Sequence, residues 1–189
     1  MLTIATRLNE CIDLFCRFDG DLGFPGGFID PEDPSVVFGL NRELQEEICL
    51  ELNKFSVTEE DFVCCIYSPA TTANSSLEGR TGERSSSSRI ERHFYAKEVS
   101  LEEFNEIEAQ SRNARDFGYE SLGQIRVPLQ RCKRNGTRRF LAKYLNNKFP
   151  SVAVKPQLFW LLYSRQILDH EDLMDAFFGT LCQHDEPRL

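Results

Sequence analysis

GFPGGFIDPEDPSVVFGLNRELQEEICLE, residues 23–51, is the stretch on which the fold turns. Its first part carries Gly23, Pro25, Gly26, Gly27, Pro31 and Pro34, a density of breakers that makes residues 23–35 a loop. Its second part has helical period. Val37, Leu40, Leu44 and Ile48 fall on one stripe and Ser35 stands where an N-cap belongs, which predicts a helix from about Ser35 to Ile48. On that helix Glu43, Glu46 and Glu47 are spaced i, i+3 and i+4, so three carboxylates share a second face. The stripe anchors the helix to a sheet while the acids point into a cleft. Like charges at i,i+4 cost a few tenths of a kcal/mol, on the order of 0.3 per pair. A hard divalent cation offsets that cost, because magnesium and manganese favour carboxylate oxygen and bridge to phosphates. Gly26 and Gly27 let backbone approach such a ligand, a loop carbonyl can complete its shell, and Arg42 can orient a carboxylate through a bidentate pair. Three acids on a helix are by themselves usually an ordinary solvated face; the glycine loop directly upstream favours the metal.

Outward from this stretch the chain alternates strands and helices. Residues 11–18 (CIDLFCRF) read as a strand closed by Asp19-Gly20-Asp21. Residues 61–68 (DFVCCIYS) and 90–97 (IERHFYAK) read as two more, and 124–129 (QIRVPL) as a short strand stopped by Pro128. Residues 100–110 read as a helix with a capping box, Ser100 as cap and Glu103 at the third helical position. A last long helix is predicted over 154–168, with Pro156 in its first turn, and a short one after His170. Between the paired strands lies a serine-rich segment, about 69–89, read as a flexible insertion in a hairpin. The order predicts an α/β (α+β) domain, a mixed β-sheet flanked by helices, as a single domain over residues 1–189.

Composition narrows the function. The 189 residues weigh 21.8 kDa, enough for one core. The net charge of −8 and pI near 5.0 argue against binding nucleic acid by bulk phosphate neutralisation, so any such contact is local or bridged by metal. Seven cysteines without a C-x-x-C pair, and three histidines, make a zinc finger or a disulfide scaffold a poor reading and point to reduced thiols. Leu158 to Tyr163, the most apolar run, is far too short to cross a bilayer, and no membrane association is expected.

The segment Arg42-Glu43-Leu44-Gln45-Glu46-Glu47-Ile48-Cys49-Leu50 resembles the second half of the Nudix box, with Cys49 in place of its terminal glycine. The first half departs: counted from Gly27, the acid is Asp33, and residues 34–41 make the spacer one residue longer than standard. That longer form is similar to the subfamily of small-nucleolar-RNA-decapping enzymes, which also hydrolyse inosine diphosphate, and of their non-hydrolysing relative syndesmos. Arg17-Phe18-Asp19-Gly20, Leu22 to Phe28, Gly39 to Leu44, His93 to Lys97 and Arg126 to Leu129 carry the same likeness in order, over about Cys16 to Arg165.

The resemblance implies the Nudix fold and a metal-dependent pyrophosphohydrolase. Magnesium or manganese would sit on the Gly26 carbonyl, Glu43 and Glu47, with Glu46 beside them, and Glu43, Glu46 and Glu47 would be the catalytic acids. Arg17, Phe24 and Gln157 fall at substrate-binding positions. Implied substrates are capped RNA, small nucleolar or messenger, cut to release 7-methylguanosine diphosphate, and inosine or deoxyinosine diphosphate. The implied location is the nucleus, nucleolus and nucleoplasm, with the cytoplasm as the open alternative, and the implied assembly a homodimer.

Three departures run against an active enzyme. The subfamily's strand ahead of the Arg17 strand, with its base-contacting histidine, is expected to be missing, which would leave the Cys11–Phe18 strand an exposed edge. Ile66 stands at the place of a metal-contacting histidine, and Trp160 at that of a metal-binding glutamate. Alternatives therefore stay open: a syndesmos-like RNA- or protein-binding module without turnover, or an N-terminally incomplete enzyme. Syndesmos has lost its box acids, whereas this chain keeps all three. The basic residues Arg131, Lys133, Arg134, Arg138, Arg139, Lys143 and Lys148 are either an RNA guide or a solvated face, and so are Arg80, Arg84, Arg89 and Arg92.

Overall fold

The computed structural model describes residues 2–6, 12–69, 89–134 and 136–179. Arg89–Val99 (β5) organises it. This strand lies between Leu2–Thr6 (β1), which pairs with it in parallel, and Phe62–Pro69 (β4), which pairs antiparallel. Its alternation sends successive side chains to opposite faces. Phe94 and Ala96 join one core with Leu14, Phe24, Leu158, Leu161 and Leu162; Tyr95 and Val99 join a second with Leu40, Leu44, Ile48, Phe104 and Ile107. Asp13–Arg17 (β2) is the middle strand of a second sheet, between Leu22–Gly23 (β3) and Ser121–Arg126 (β6).

The predicted helix over the acidic stretch runs Val36–Ile48 (α1), and the Ser35 hydroxyl accepts from the Phe38 N–H at 3.1 Å. Its stripe of Leu40, Leu44 and Ile48 supplies the second core, as the periodicity requires. Asn41 then ties the next segment of chain to the helix: its amide donates to the Val37 and Val57 carbonyls and accepts from the Val57 N–H. Val57 lies just beyond Leu52–Phe55 (α2), a one-turn helix that propensity does not announce. Leu101–Gln110 (α3) carries the expected capping box of Ser100 and Glu103. Arg139–Tyr144 (α4), Val154–Ser164 (α5) and His170–Phe178 (α6) complete the order. Helix α5 stops earlier than 168 because Gln166 turns left-handed at φ 52°.

Two expectations are corrected. A strand does precede β2: Leu2–Thr6 runs beside β5 from Leu2↔Tyr95 to Thr6↔Val99. Nor is the Cys11–Phe18 strand an exposed edge, because β2 is hydrogen-bonded on both sides. The expected hairpin is formed, with β4 and β5 paired out to Pro69↔Arg89. The serine-rich segment itself falls on 70–88, outside the described residues, and takes Arg80 and Arg84 with it.

Candidate active site

The site is a cradle in which the glycine loop folds over the acidic face of α1. The Gly26 N–H donates to Glu47 Oε2 at 2.5 Å, and Gly26 has φ 123°, a conformation open to glycine and strained for other residues. Gly27 lies directly against Glu43: a Cβ there would stand 2.6 Å from Glu43 Cδ. Backbone and carboxylates are therefore in contact only because two glycines occur in succession.

Arg42 holds the loop in place. Its Nη2 meets Asp33 at 3.1 Å and Asp30 at 3.2 Å, while Nη1 meets Glu43 at 2.8 Å and Glu46 at 3.6 Å. Asp33, the displaced acid of the box, thus serves as a loop clamp. The Arg42 hydrogen bond holds its carboxyl below the usual range, and Asp33 in turn accepts from the Asp30 N–H at 2.9 Å.

Burial dominates the electrostatics. Glu47 is 5% exposed, and desolvation pushes its carboxyl up to about 7 against the opposing Gly26 N–H, with Glu43 and Glu120 adding repulsion. Glu43 is also raised, first by burial, then countered by Arg42. A buried Glu47 beside half-buried Glu43 and Glu46, with a glycine notch against them and oxygen as the only donor atom they offer, fits a hard divalent cation. Gly26, Glu43 and Glu47 are the residues that would hold it, and Glu46 is at the rim, paired with Arg115 at 3.1 Å.

Two contributors carry no sequence signal. Glu120 belongs to the turn before β6, is felt by both Glu43 and Glu47, and sits in no motif. Arg115 reaches Glu46 because the 114–120 segment docks on α1, where the Asp116 N–H donates to the Glu46 carbonyl.

The three residues expected at substrate positions are placed differently from one another. Arg17 ends β2, is paired with Asp19 at 3.2 Å and lies 5.6 Å from the Phe18 ring, and its charge is felt by Glu47. Gln157, on α5, is fully buried, and neither atom of its amide has a hydrogen-bond partner among the described residues. Leaving such a group unpaired costs about 1–3 kcal/mol, and the Gln124 amide is unpaired in the same way. Phe24 is buried, with its ring 4.8 Å from that of Phe94, so packing accounts for its side chain. Ile66 is half-buried, and Trp160 is 47% exposed among Phe159 and Tyr163. The basic run is divided. Arg131 and Arg138 are tied to Asp172 at 2.7 and 2.6 Å and are structural, whereas Lys133, Arg134 and Lys143 are exposed. An open cleft of about 570 Å³ by Pro128, Phe140 and Lys143 shares no residue with the cradle.

The family described as Nudt16-like, U8 snoRNA-decapping enzyme-like, matches residues 3–168. The chain belongs to this family. It is 37% identical over 171 residues to the U8 snoRNA-decapping enzyme of Xenopus laevis, covering 89% of this chain and 71% of the relative. It is 37% identical over 153 residues to the mouse enzyme of that name, covering 81% and 68%. It is also 35% identical over 162 residues to the human Tudor-interacting repair regulator protein, covering 85% and 65%. The Nudt16-like match spans the cradle, both sheets and α5 together. Among the described residues no helix is long and apolar enough to cross a membrane.

Proposed function

We propose that this chain is a metal-dependent Nudix hydrolase that cleaves phosphoric anhydrides, removing the 7-methylguanosine cap from small nucleolar or messenger RNA and hydrolysing inosine and deoxyinosine diphosphate. The observation that carries this reading is the cradle: Glu47 buried on the Gly26 N–H, with Glu43 seated in the Gly27 notch. A bound magnesium or manganese ion supplies positive charge against the pyrophosphate and makes water more acidic. The chain's own residues do the rest. Arg17 exchanges Asp19 for the nucleotide, and the Gln157 amide donates to and accepts from it. Phe24 shapes the loop from beneath. A carboxylate of the cluster, Glu46 or Glu47, takes the proton of the attacking water as one phosphorus–oxygen bond forms and the anhydride bond breaks. Cap cleavage yields 7-methylguanosine diphosphate and 5′-monophosphate RNA; inosine diphosphate yields inosine monophosphate and phosphate. Nuclear, partly nucleolar, action on capped RNA and a homodimeric state belong to the same proposal.

The test is turnover of inosine diphosphate and of capped RNA with manganese, beside Glu47→Gln. We expect the substitution to lower turnover by on the order of 1,000-fold. A second reading, a binding module without turnover, is favoured by Ile66 and Trp160 and by the match to the repair regulator protein. Tight binding of nucleotide by a cooperatively folded chain, with no hydrolysis, would establish it instead.

A further inference from the structure

The hairpin of β4 and β5 carries a second cluster of ligand-type side chains. The register sets Cys65 opposite His93 and Tyr67 opposite Glu91, so all four project from one face of the sheet. Ile66, next in β4, projects from the other. The cluster therefore shares no residue with the cradle, and none with the position at which the family resemblance puts a histidine.

Glu91 Oε1 is the hub of this group. It lies 3.2 Å from His93 Nε2 and 3.5 Å from Cys65 Sγ, and it accepts the Tyr67 hydroxyl at 3.0 Å. One ligand atom from each of Cys65, Glu91 and His93 falls within 4.8 Å of the others. A tetrahedral centre with bonds of about 2.0–2.3 Å has ligand–ligand edges of roughly 3.3–3.8 Å. Two of the three edges already have nearly that length. The side chains of Glu91 and His93 are 50% and 30% exposed, which leaves a path in from solvent.

We propose that Cys65, Glu91 and His93 hold a zinc ion, with water at the fourth position. A thiolate beside an imidazole selects zinc over the magnesium or manganese that suits an all-oxygen cradle. On binding, the Cys65 thiol proton passes to solvent and sulfur, nitrogen and oxygen each donate a pair to the metal. The Tyr67 hydroxyl stays on the Glu91 carboxylate and orients it from behind. The ion clips β4 to β5 close to where residues 70–88 leave the hairpin.

Cobalt(II) added to the reduced, chelator-stripped full-length chain tests this. One equivalent is expected to give a thiolate-to-cobalt charge-transfer band with strong tetrahedral d–d absorption, and zinc should bleach both. Cys65→Ser should abolish the charge-transfer band, and His93→Gln and Glu91→Gln should each weaken cobalt binding by roughly 100-fold. Glu47→Gln should leave the band unchanged, which separates this site from the cradle. No band at saturating cobalt, or a band that persists in Cys65→Ser, overturns the proposal. If Cys65→Ser gives no cooperative melt, an unweakened His93→Gln variant does the same.

Discussion

The cradle over α1 and the wall that α5 makes with β4 in the first core are built from different kinds of information. The cradle is local in sequence: residues 26–47 supply the loop, the clamp and all three acids, and their spacing brings them together. The wall depends on strand register and on the rotation of a distant helix. In this chain the cradle keeps its full set of acids, whereas the wall offers Ile66 and Trp160 where the family resemblance calls for metal contacts. The acids are held by the glycine loop and by Arg42, close in sequence, whereas Ile66 and Trp160 are placed by strand register and by the packing of α5.

The largest stability effect expected from this contrast lies at Glu47. Its carboxyl is raised from 4.5 to about 7 by burial, so in the folded chain the proton is favoured. The associated stability is fully present below pH 4.5 and is lost as pH rises to about 7. The shift corresponds to on the order of 3 kcal/mol. Glu43 is raised as well and acts in the same direction. Metal-free wild type should therefore lose melting temperature across this window relative to Glu47→Gln, and the variant should be the more stable at pH 7.5. Manganese should narrow the gap as pH rises, since it binds the ionised form. Parallel melting curves of the two proteins from pH 4.5 to 7.5 would contradict a buried, strained carboxylate.

The wall offers the next effect. Restoring donors with Ile66→His and Trp160→Glu together should tighten manganese binding by about tenfold, read by titration and by turnover of inosine diphosphate. Unchanged affinity would show that these positions do not reach the cradle in this chain. It would also move weight to the module that binds without turnover.

The same contrast explains what the sequence made legible. Helix α1, its cap at Ser35, the capping box of α3 and the loop glycines were readable because each rests on contacts within a few residues. The three acids were readable for the same reason. Glu120 and Arg115 were not, since they reach α1 only through docking of the 114–120 turn. The parallel pairing of Leu2–Thr6 with β5 is a contact across some ninety residues, and no local pattern encodes it. Phe24 shows how much a motif leaves out: its place beside the loop glycines is legible, and its packing on Phe94, in a strand far along the chain, is not.

The smallest effect is expected where the box itself departs. Helix α1 ends at Cys49, whose φ of 54° and ψ of 38° are left-handed, and both the Cys49 and Leu50 N–H groups turn back to the Leu44 carbonyl. Glycine is favoured in this conformation because a Cβ meets the following carbonyl there, at a cost of about 1–2 kcal/mol. The terminal glycine of the box is thus a helix stop, and its chemistry lies in the backbone. Cys49→Gly relieves the crowding but frees the unfolded chain, which takes back about 0.4–1 kcal/mol. A net gain of roughly 0.5–1 kcal/mol by denaturant titration is expected, with turnover unchanged because the role of the position is to end the helix. A loss of stability would mean that the thiol packs more favourably than its half-buried position indicates.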